Sequence, residues 1–310
     1  MILVTGATGF IGRALVRHFS EAGQEVRVLL RPSASSPRLP KGVPVEVAVA
    51  SLNDARGVRA ALRGVRQAVH LASAAGYGRR GDLQATDVEG TRILADAAKD
   101  AGLERLLFLS HVGANRASAF PVHKAKGIAE EAIRKSGTPY TIVRSTVVFG
   151  AEDRFTNELT AALRAFPLFF PLPGGGLTLL QPLWVEDLVT ALLWALQDPE
   201  MLNKTHEIGG GEYFTFRQII ETLMSVAHAT RTLFPLSLPI THALFNALDP
   251  LFPRAYISSF WLDYISANRT CPVDNLTRIF GLMPARFSYQ LNYLARKPLW
   301  QRLQESLRLR

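Results

Sequence analysis

The first twelve residues restrict the fold more than any other part of this chain. Met1-Ile2-Leu3-Val4-Thr5 has the composition of a short buried strand. It runs into Gly6-Ala7-Thr8-Gly9-Phe10-Ile11-Gly12 and then into a helix-forming run from Arg13 to Phe19. Gly6 permits a tight turn, Gly9 removes a side chain where a pyrophosphate must approach the main chain, and Gly12 lets the helix close on the strand. Unpaired amides and the positive end of the helix dipole then face an anion. Strand and helix both flank the glycines, which is the context such a motif demands. Gly6, Thr8, Gly9, Phe10, Ile11 and Gly12 therefore read as a dinucleotide cradle; the competing reading is an ordinary glycine-rich turn.

Alternation continues downstream. Strand candidates fall at 25–30, 43–49, 68–71, 105–110 and 140–143, and helix candidates at 12–22, 54–63, 88–101 and 124–135. Asp54 suits an N-cap, and Gly102 and Gly137 sit where helices stop. Strands and helices at these lengths imply a doubly wound parallel Rossmann sheet, an α/β fold covered on both faces. After Gly150 prolines become frequent and apolar runs lose their period. A helix at 185–196 and a strand-like His206-Glu207-Ile208 interrupt that texture. The expected organisation is a nucleotide-binding domain over 1–150, with 178–209 returning to it. Residues 151–177 and 210–310 then form a smaller, mostly helical lobe over the carboxyl edge of the sheet.

Composition narrows the function classes. The chain has 310 residues, 48% of them hydrophobic and 20% charged, which supports a packed core without disulfides. One cysteine, Cys271, can build neither an internal disulfide nor a cysteine zinc site, and no metal site is expected. The net charge of +9 comes from scattered arginines with no basic run beside aromatics, so no nucleic-acid partner is expected. No apolar run reaches the length of a membrane span, and the chain opens on a fold strand, so a cytoplasmic protein without a signal peptide is expected. Peripheral contact with a membrane's inner face or with a protein complex is suggested by the apolar stretch 233–252. The C-terminal run that aligns Trp300, Leu303 and Leu307 suggests the same. Residues 163–173, with Phe166, Phe169 and Phe170, either belong to the core of the second lobe or line an apolar pocket.

Several further segments carry a family resemblance: Val69-His70-Leu71-Ala72, Val88-Glu89-Gly90-Thr91-Arg92, Leu107-Phe108-Leu109-Ser110, Ile142-Val143-Arg144, Trp184-Val185-Glu186-Asp187 and Ile208-Gly209-Gly210. With the amino-terminal glycines they make the chain resemble an extended, atypical short-chain dehydrogenase/reductase, in the epimerase-like and NmrA-like branch that includes complex I accessory subunits. That resemblance implies a catalytic Tyr followed four residues later by Lys, with the Lys also holding the nicotinamide ribose. The matching segment here is Phe120-Pro121-Val122-His123-Lys124. Lys124 is present and the Tyr is Phe120, which carries no proton to give. Ser110 matches the family's catalytic serine. Either His123 or His111 could relay a proton; Tyr77 or Tyr140 could stand in for the phenol.

Cofactor choice is decided after the second strand. No acid stands there to bind a ribose hydroxyl. Arg31 does, and Arg13 could add a second guanidinium, so NADP(H) is expected ahead of NAD(H). Ala50-Ser51-Leu52 stands where the family often has Gly-Asp-Leu near the adenine, so the contact of that Asp is absent; Ser51 and Leu52, with Leu71, Ala72 and Ser73 after the fourth strand, complete the expected cofactor contacts. Two functions follow from the resemblance: an NADPH-dependent reductase of a hydrophobic small molecule built on Lys124, or a catalytically silent NADPH-holding accessory subunit, assembly factor or redox sensor.

Overall fold

The computed structural model describes residues 1–33, 37, 39–165, 168–248 and 259–295. Six strands, β1 (Ile2–Thr5), β2 (Val26–Leu30), β3 (Glu46–Val49), β4 (Gln67–His70), β5 (Arg105–His111) and β6 (Tyr140–Ser145), share the first half with helices α1 (Phe10–Glu21), α2 (Ala55–Ala61), α3 (Gly90–Asp100) and α4 (Pro121–Ser136). The short strands β7 (Val148–Phe149), β8 (Phe169–Pro173), β9 (Leu179–Leu180) and β10 (Leu183–Trp184) come next, then β11 (Lys204–Ile208), β12 (Phe214–Thr215) and β13 (Thr232–Leu236). Helices α5 (Phe155–Ala165), α6 (Val185–Gln197), α7 (Phe216–Val226), α8 (Leu238–Leu248), α9 (Ser259–Ile265) and α10 (Asn275–Phe280) lie among them. The central sheet has seven parallel strands in the order β11-β6-β5-β4-β1-β2-β3.

Neighbouring residues of each strand face opposite layers. Val4, Val28, Val69 and Leu107 meet α1 and α6 through Leu15, Val16, Phe19, Leu188 and Leu192. Leu3, Ala68, Leu106 and Phe108 meet the opposite layer through Leu94, Ala129 and Ile133. Both faces of the sheet are thus covered at its centre, which is why β1 and β5 are buried nearly throughout, whereas the edge strand β3 is mostly exposed. A third cluster, around Phe149, Phe170, Phe216, Leu223 and Phe287, holds the second lobe together.

Beyond shifts of one or two residues at element ends, the structure departs from expectation in four places. Helix α4 starts at Pro121 rather than 124, because proline at the first helical position fixes the helical φ and lacks only an amide that would be unpaired there. The helix expected over 88–101 is preceded by a wider π turn, Gln84–Glu89, that buries Asp87. Only Glu46–Val49 of the 43–49 strand pairs with β2, while Val43 and Val45 pack on the core without pairing. The second lobe is mainly helical, but β8 and β13 pair in parallel, from Phe169 opposite Thr232 to Pro173 opposite Leu236. Prolines in both segments conceal that ribbon, and an isolated two-stranded pair tolerates them. The expected helix with Trp300, Leu303 and Leu307 lies outside the described residues, as do 249–252 of the apolar stretch and Phe166.

Candidate functional site

Cradle geometry follows from the glycines. Gly6 adopts φ +73, and a Cβ there would stand 2.7 Å from the Ala72 amide nitrogen and 2.8 Å from the Leu71 carbonyl carbon. A Cβ at Gly12 would run into the Gly6 carbonyl oxygen and stand 2.7 Å from Ala7 Cα. Both positions therefore exclude a side chain. Gly9 donates its amide to the Gly6 carbonyl at 3.0 Å and stands at the N-cap of α1, where no side chain caps the helix and the first turn holds no acid. The first intrahelical bond runs from Arg13 to Gly9, so the amides of Phe10, Ile11 and Gly12 precede the helical ladder. An uncapped, acid-free helix start of this kind fits a pyrophosphate. The Phe10 ring packs where a Cβ on Gly150 would lie, and Ile11 packs on the core, so these two contribute main chain rather than side chain.

Behind the cradle, the His70 ring joins β1 to α3. Thr5 Oγ1 lies 2.6 Å from Nδ1 and Thr91 Oγ1 2.9 Å from Nε2. Burial, with Lys126 nearby, pushes the His70 pKa down to about 3, so this ring stays neutral and structural. Ala72 donates its amide to Thr5 Oγ1 at 3.4 Å, and Ser73 Oγ accepts the Ala75 amide at 3.2 Å. Ser51 Oγ accepts the Asn53 amide at 3.3 Å, and Leu52 packs against Gly90.

The two arginines expected at the adenosine end are placed differently. Arg31 is exposed at the end of β2; its Nη2 donates to the Tyr77 hydroxyl at 3.0 Å, and its guanidinium lies 5.2 Å from the centre of that ring. Arg13 does not join it. Arg13 donates through Nε to Glu152 at 2.7 Å and through Nη1 to the Thr8 carbonyl. The expectation of a second guanidinium is corrected: a carboxylate from the loop after β7, unforeseen from sequence, holds Arg13.

The catalytic segment also needs correction. Ser110 is fully buried and its hydroxyl donates to Glu130 Oε1 at 2.6 Å. Glu130 in turn accepts from Arg144 and Arg134, and those partners hold it ionised against the cost of its burial. A hydroxyl committed to that network does not orient a substrate carbonyl. Lys124 is exposed on the first turn of α4 and makes no ion pair among the described residues, whereas Lys126 is buried against Asp87. Tyr77, held by Arg31, and Tyr140, at the start of β6, do not replace the missing phenol.

His123 belongs to a cluster the sequence did not foretell. It is 2% exposed, with ring centres 6.1 Å from His111, 6.3 Å from Phe120 and 6.1 Å from Tyr264. Burial and the nearby Arg269 push the His123 pKa down to about 4. Burial, with Lys126, His123 and Arg269, holds His111 well below the usual histidine value. Both rings are neutral and each has a buried Nδ1 without a partner. Arg269, from the segment after α9, lies with Cζ 5.0 Å above the Phe120 ring. Tyr264 and Arg269 arrive more than 140 residues after Phe120 in the chain, and nothing in their spacing announces it.

Sheet and cradle together define a Rossmann-type nucleotide-binding protein of the extended short-chain dehydrogenase/reductase class. The chain belongs to the NAD(P)H-binding family, whose model matches residues 6–162. It is 30% identical over 281 residues, covering 86% of this chain and 69% of the relative, to NADH dehydrogenase [ubiquinone] 1 alpha subcomplex subunit 9 of Arabidopsis thaliana. It is 29% identical over 242 residues, covering 76% of this chain and 63% of the relative, to the mouse (Mus musculus) protein of the same name. The chain thus spans about two thirds of these relatives' length. In fold it is similar to an NADPH-dependent quinone oxidoreductase from Escherichia coli solved with NADPH, with TM-score 0.76, 20% identity and coverage of 95% and 99% of the two chains.

Proposed function

We propose that this protein is an NADPH-dependent reductase of an apolar small molecule. In this reading Lys124 holds the nicotinamide ribose, and no phenol serves as acid. The observation that carries it is Lys124 itself, exposed and without a carboxylate partner among the described residues, on the first turn of α4 at the carboxyl edge of the sheet. NADPH, when bound, would supply hydride. The chain's own residues would grip the pyrophosphate with the amides before Arg13 and meet the 2′-phosphate with Arg31. Buried neutral groups at His111 and His123 would keep water from the reacting end. The test is direct. The full chain is titrated with NADPH and NADH by nucleotide fluorescence, then offered a panel of ketones and enones. Lys124→Ala should weaken NADPH binding about tenfold or more and abolish turnover. Tight NADPH binding with no turnover on any acceptor would remove the reductase reading.

A second reading is favoured by Phe120 and by the Ser110–Glu130 bond. Here the protein holds NADPH as a structural ligand, in an accessory subunit, an assembly factor or a redox sensor. Ligand at a hundred times its dissociation constant stabilises a fold by about 2.7 kcal/mol. The relatives of similar sequence are named as subunits of a larger assembly. A cytoplasmic place at the inner face of a membrane goes with either reading, supported by the exposed Phe169 and Phe234 of the β8–β13 ribbon. Co-purification separates the two: a monomer with turnover supports the first, and a stable complex without turnover the second.

A further inference from the structure

Arg269 is a buried cation with an unused fork. The residue is 6% exposed, yet among the described residues Nε and Nη2 have no hydrogen-bond partner. Those two nitrogens form the side-on edge of the guanidinium, whose parallel N–H groups match the two oxygens of a carboxylate. The rest of the side chain is held in place. Its plane lies over Phe120, and Nη1 would stand 2.8 Å from a Cβ on Gly113, a glycine at φ +86. Its main-chain amide donates to the Leu179 carbonyl at 3.1 Å.

No carboxylate answers it. Asp263 acts on Arg269 through space, but no ion pair joins them among the described residues, and burial has raised the Asp263 pKa. Among the buried acids, Asp87 is matched by Lys126 and Glu130 by Arg134 and Arg144. Beside Arg269 stand the two imidazoles, each with an unpaired buried Nδ1. Native interiors leave very few such groups unsatisfied, and a buried guanidinium with two idle donors is costly.

We propose that Arg269, with His111 and His123 beside it, forms a subsite for a monoanionic carboxylate or enolate oxygen of a ligand entering between the sheet edge and the second lobe. One guanidinium beside two uncharged rings balances a single negative charge, which disfavours a phosphate dianion. The inference rests on the reading that an acceptor binds beside the nucleotide. It adds that the acceptor's polar end is anionic and that Arg269 is the group selecting it. Arg269 keeps its protons at all accessible pH, so it binds and polarises an oxygen without acting as an acid.

The experiment uses the full chain saturated with NADPH. Isothermal titration calorimetry is run with sodium benzoate, with the neutral isostere benzamide, and with inorganic phosphate. Benzoate should bind at least tenfold more tightly than benzamide or phosphate, and Arg269→Gln should erase that preference. Arg269→Lys, which retains the charge and loses the fork, should recover only part of it. Long-range ¹H–¹⁵N spectra of wild-type histidines give a readout free of folding effects: benzoate should shift the ring nitrogens of two buried histidines. Equal binding of benzoate and benzamide, or no shift at those rings, would mean that water alone serves these donors and would overturn the subsite. NADPH affinity is measured in the same samples. If it is intact while benzoate fails, only the subsite falls; if wild-type protein does not bind NADPH, the underlying reading falls instead.

Discussion

Lys126 and Asp87 form a buried ion pair, with Nζ 3.2 Å from Oδ1 and side chains 3% and 0% exposed. It ties the second turn of α4 to the π turn that precedes α3. The other oxygen of Asp87 accepts the Ala74 amide at 2.8 Å, so the same carboxylate fixes the chain just after β4, where the cofactor contacts are expected. Lys126 also lies 4.8 Å from the centre of the Phe108 ring. Lys124, two residues earlier, is about 200° around the helix and reaches solvent. Neighbouring lysines therefore have opposite tasks, one in the core and one at the open edge.

Removing one partner of this pair should be far worse than removing both. Lys126→Met strands an uncompensated carboxylate, and urea unfolding should show a loss of about 3–5 kcal/mol. The double variant with Asp87→Leu should regain more than half of that loss. Equal stability of single and double variants would show that the ammonium does not support Asp87.

Gly12→Ala should weaken nucleotide binding far more than it lowers stability. The added methyl runs into the Gly6 carbonyl and crowds Ala7, so α1 must move off the cradle. NADPH affinity, read by fluorescence, should fall at least tenfold, because the amides lose their common focus. Gly23→Ala is the control. No atom lies within 4 Å of a Cβ there, although φ is +66, so it should lower stability by about 1 kcal/mol and leave affinity unchanged.

The doubly wound sheet was legible because both of its layers leave a period in the chain. Apolar strand runs alternate with helices whose glycine stops, Gly102 and Gly137, take positive φ. The cradle was legible because its three glycines are contiguous with the strand and helix they join. The other site residues were not, for a physical reason. Ser110 has the right place in sequence, yet its hydroxyl is captured by Glu130, a partner set by the docking of α4 on β5. Arg13 is captured by Glu152, which stands 139 residues away. Arg269 and Tyr264 reach His123 from the second lobe, and contacts across that distance have no local signature. Pattern reveals where main chain goes; it does not reveal which side chain finds a partner first.

Cofactor preference should hinge on Arg31. Its hydrogen-bond acceptor is the phenol of an exposed tyrosine rather than a carboxylate, so its charge remains available to a phosphate. Arg31→Asp should cut NADPH affinity by tenfold or more and raise NADH affinity, since an acid there accepts from ribose hydroxyls. An unchanged ratio of the two dissociation constants would remove Arg31 from the 2′-phosphate site.

Acid should destabilise the protein partly through His123. Its folded pKa, about 4, lies below the ordinary histidine value of 6.5, so the unfolded chain binds the proton first. The stability from keeping this ring neutral is complete above about pH 6.5 and is lost as pH falls toward 4. At pH 5 the loss amounts to about 2 kcal/mol for this one group. His123→Asn should therefore show a drop in unfolding free energy between pH 7 and pH 5 that is smaller than wild type by about that amount. His70 remains in both proteins and cancels in the comparison; His111 also remains, still held down chiefly by burial and Lys126, and loses only the smaller push from His123. Parallel pH profiles would show that His123 is protonated or solvated in the folded state.

The β8–β13 ribbon should carry any contact with a membrane. Phe169 is 61% exposed and Phe234 56%, and with Pro171 they line one open apolar groove. Residues 164–178 and 226–248, which include both strands, contain no Asp or Glu. Arg231 leaves its charge at the base of the ribbon, donating to the Leu163 and Thr230 carbonyls. An apolar tip above a basic, acid-free base suits an anionic bilayer, where aromatic insertion and charge attraction add. Sedimentation with phosphatidylglycerol vesicles should therefore capture the protein, and phosphatidylcholine vesicles should capture much less. Replacing both rings, Phe169→Glu with Phe234→Glu, should reduce capture about tenfold while NADPH affinity stays at the wild-type value, because neither ring touches the cradle. Capture that survives the double substitution would move the membrane contact elsewhere on the chain. Capture indifferent to lipid charge would leave the apolar rings as its cause and remove the basic base from the argument.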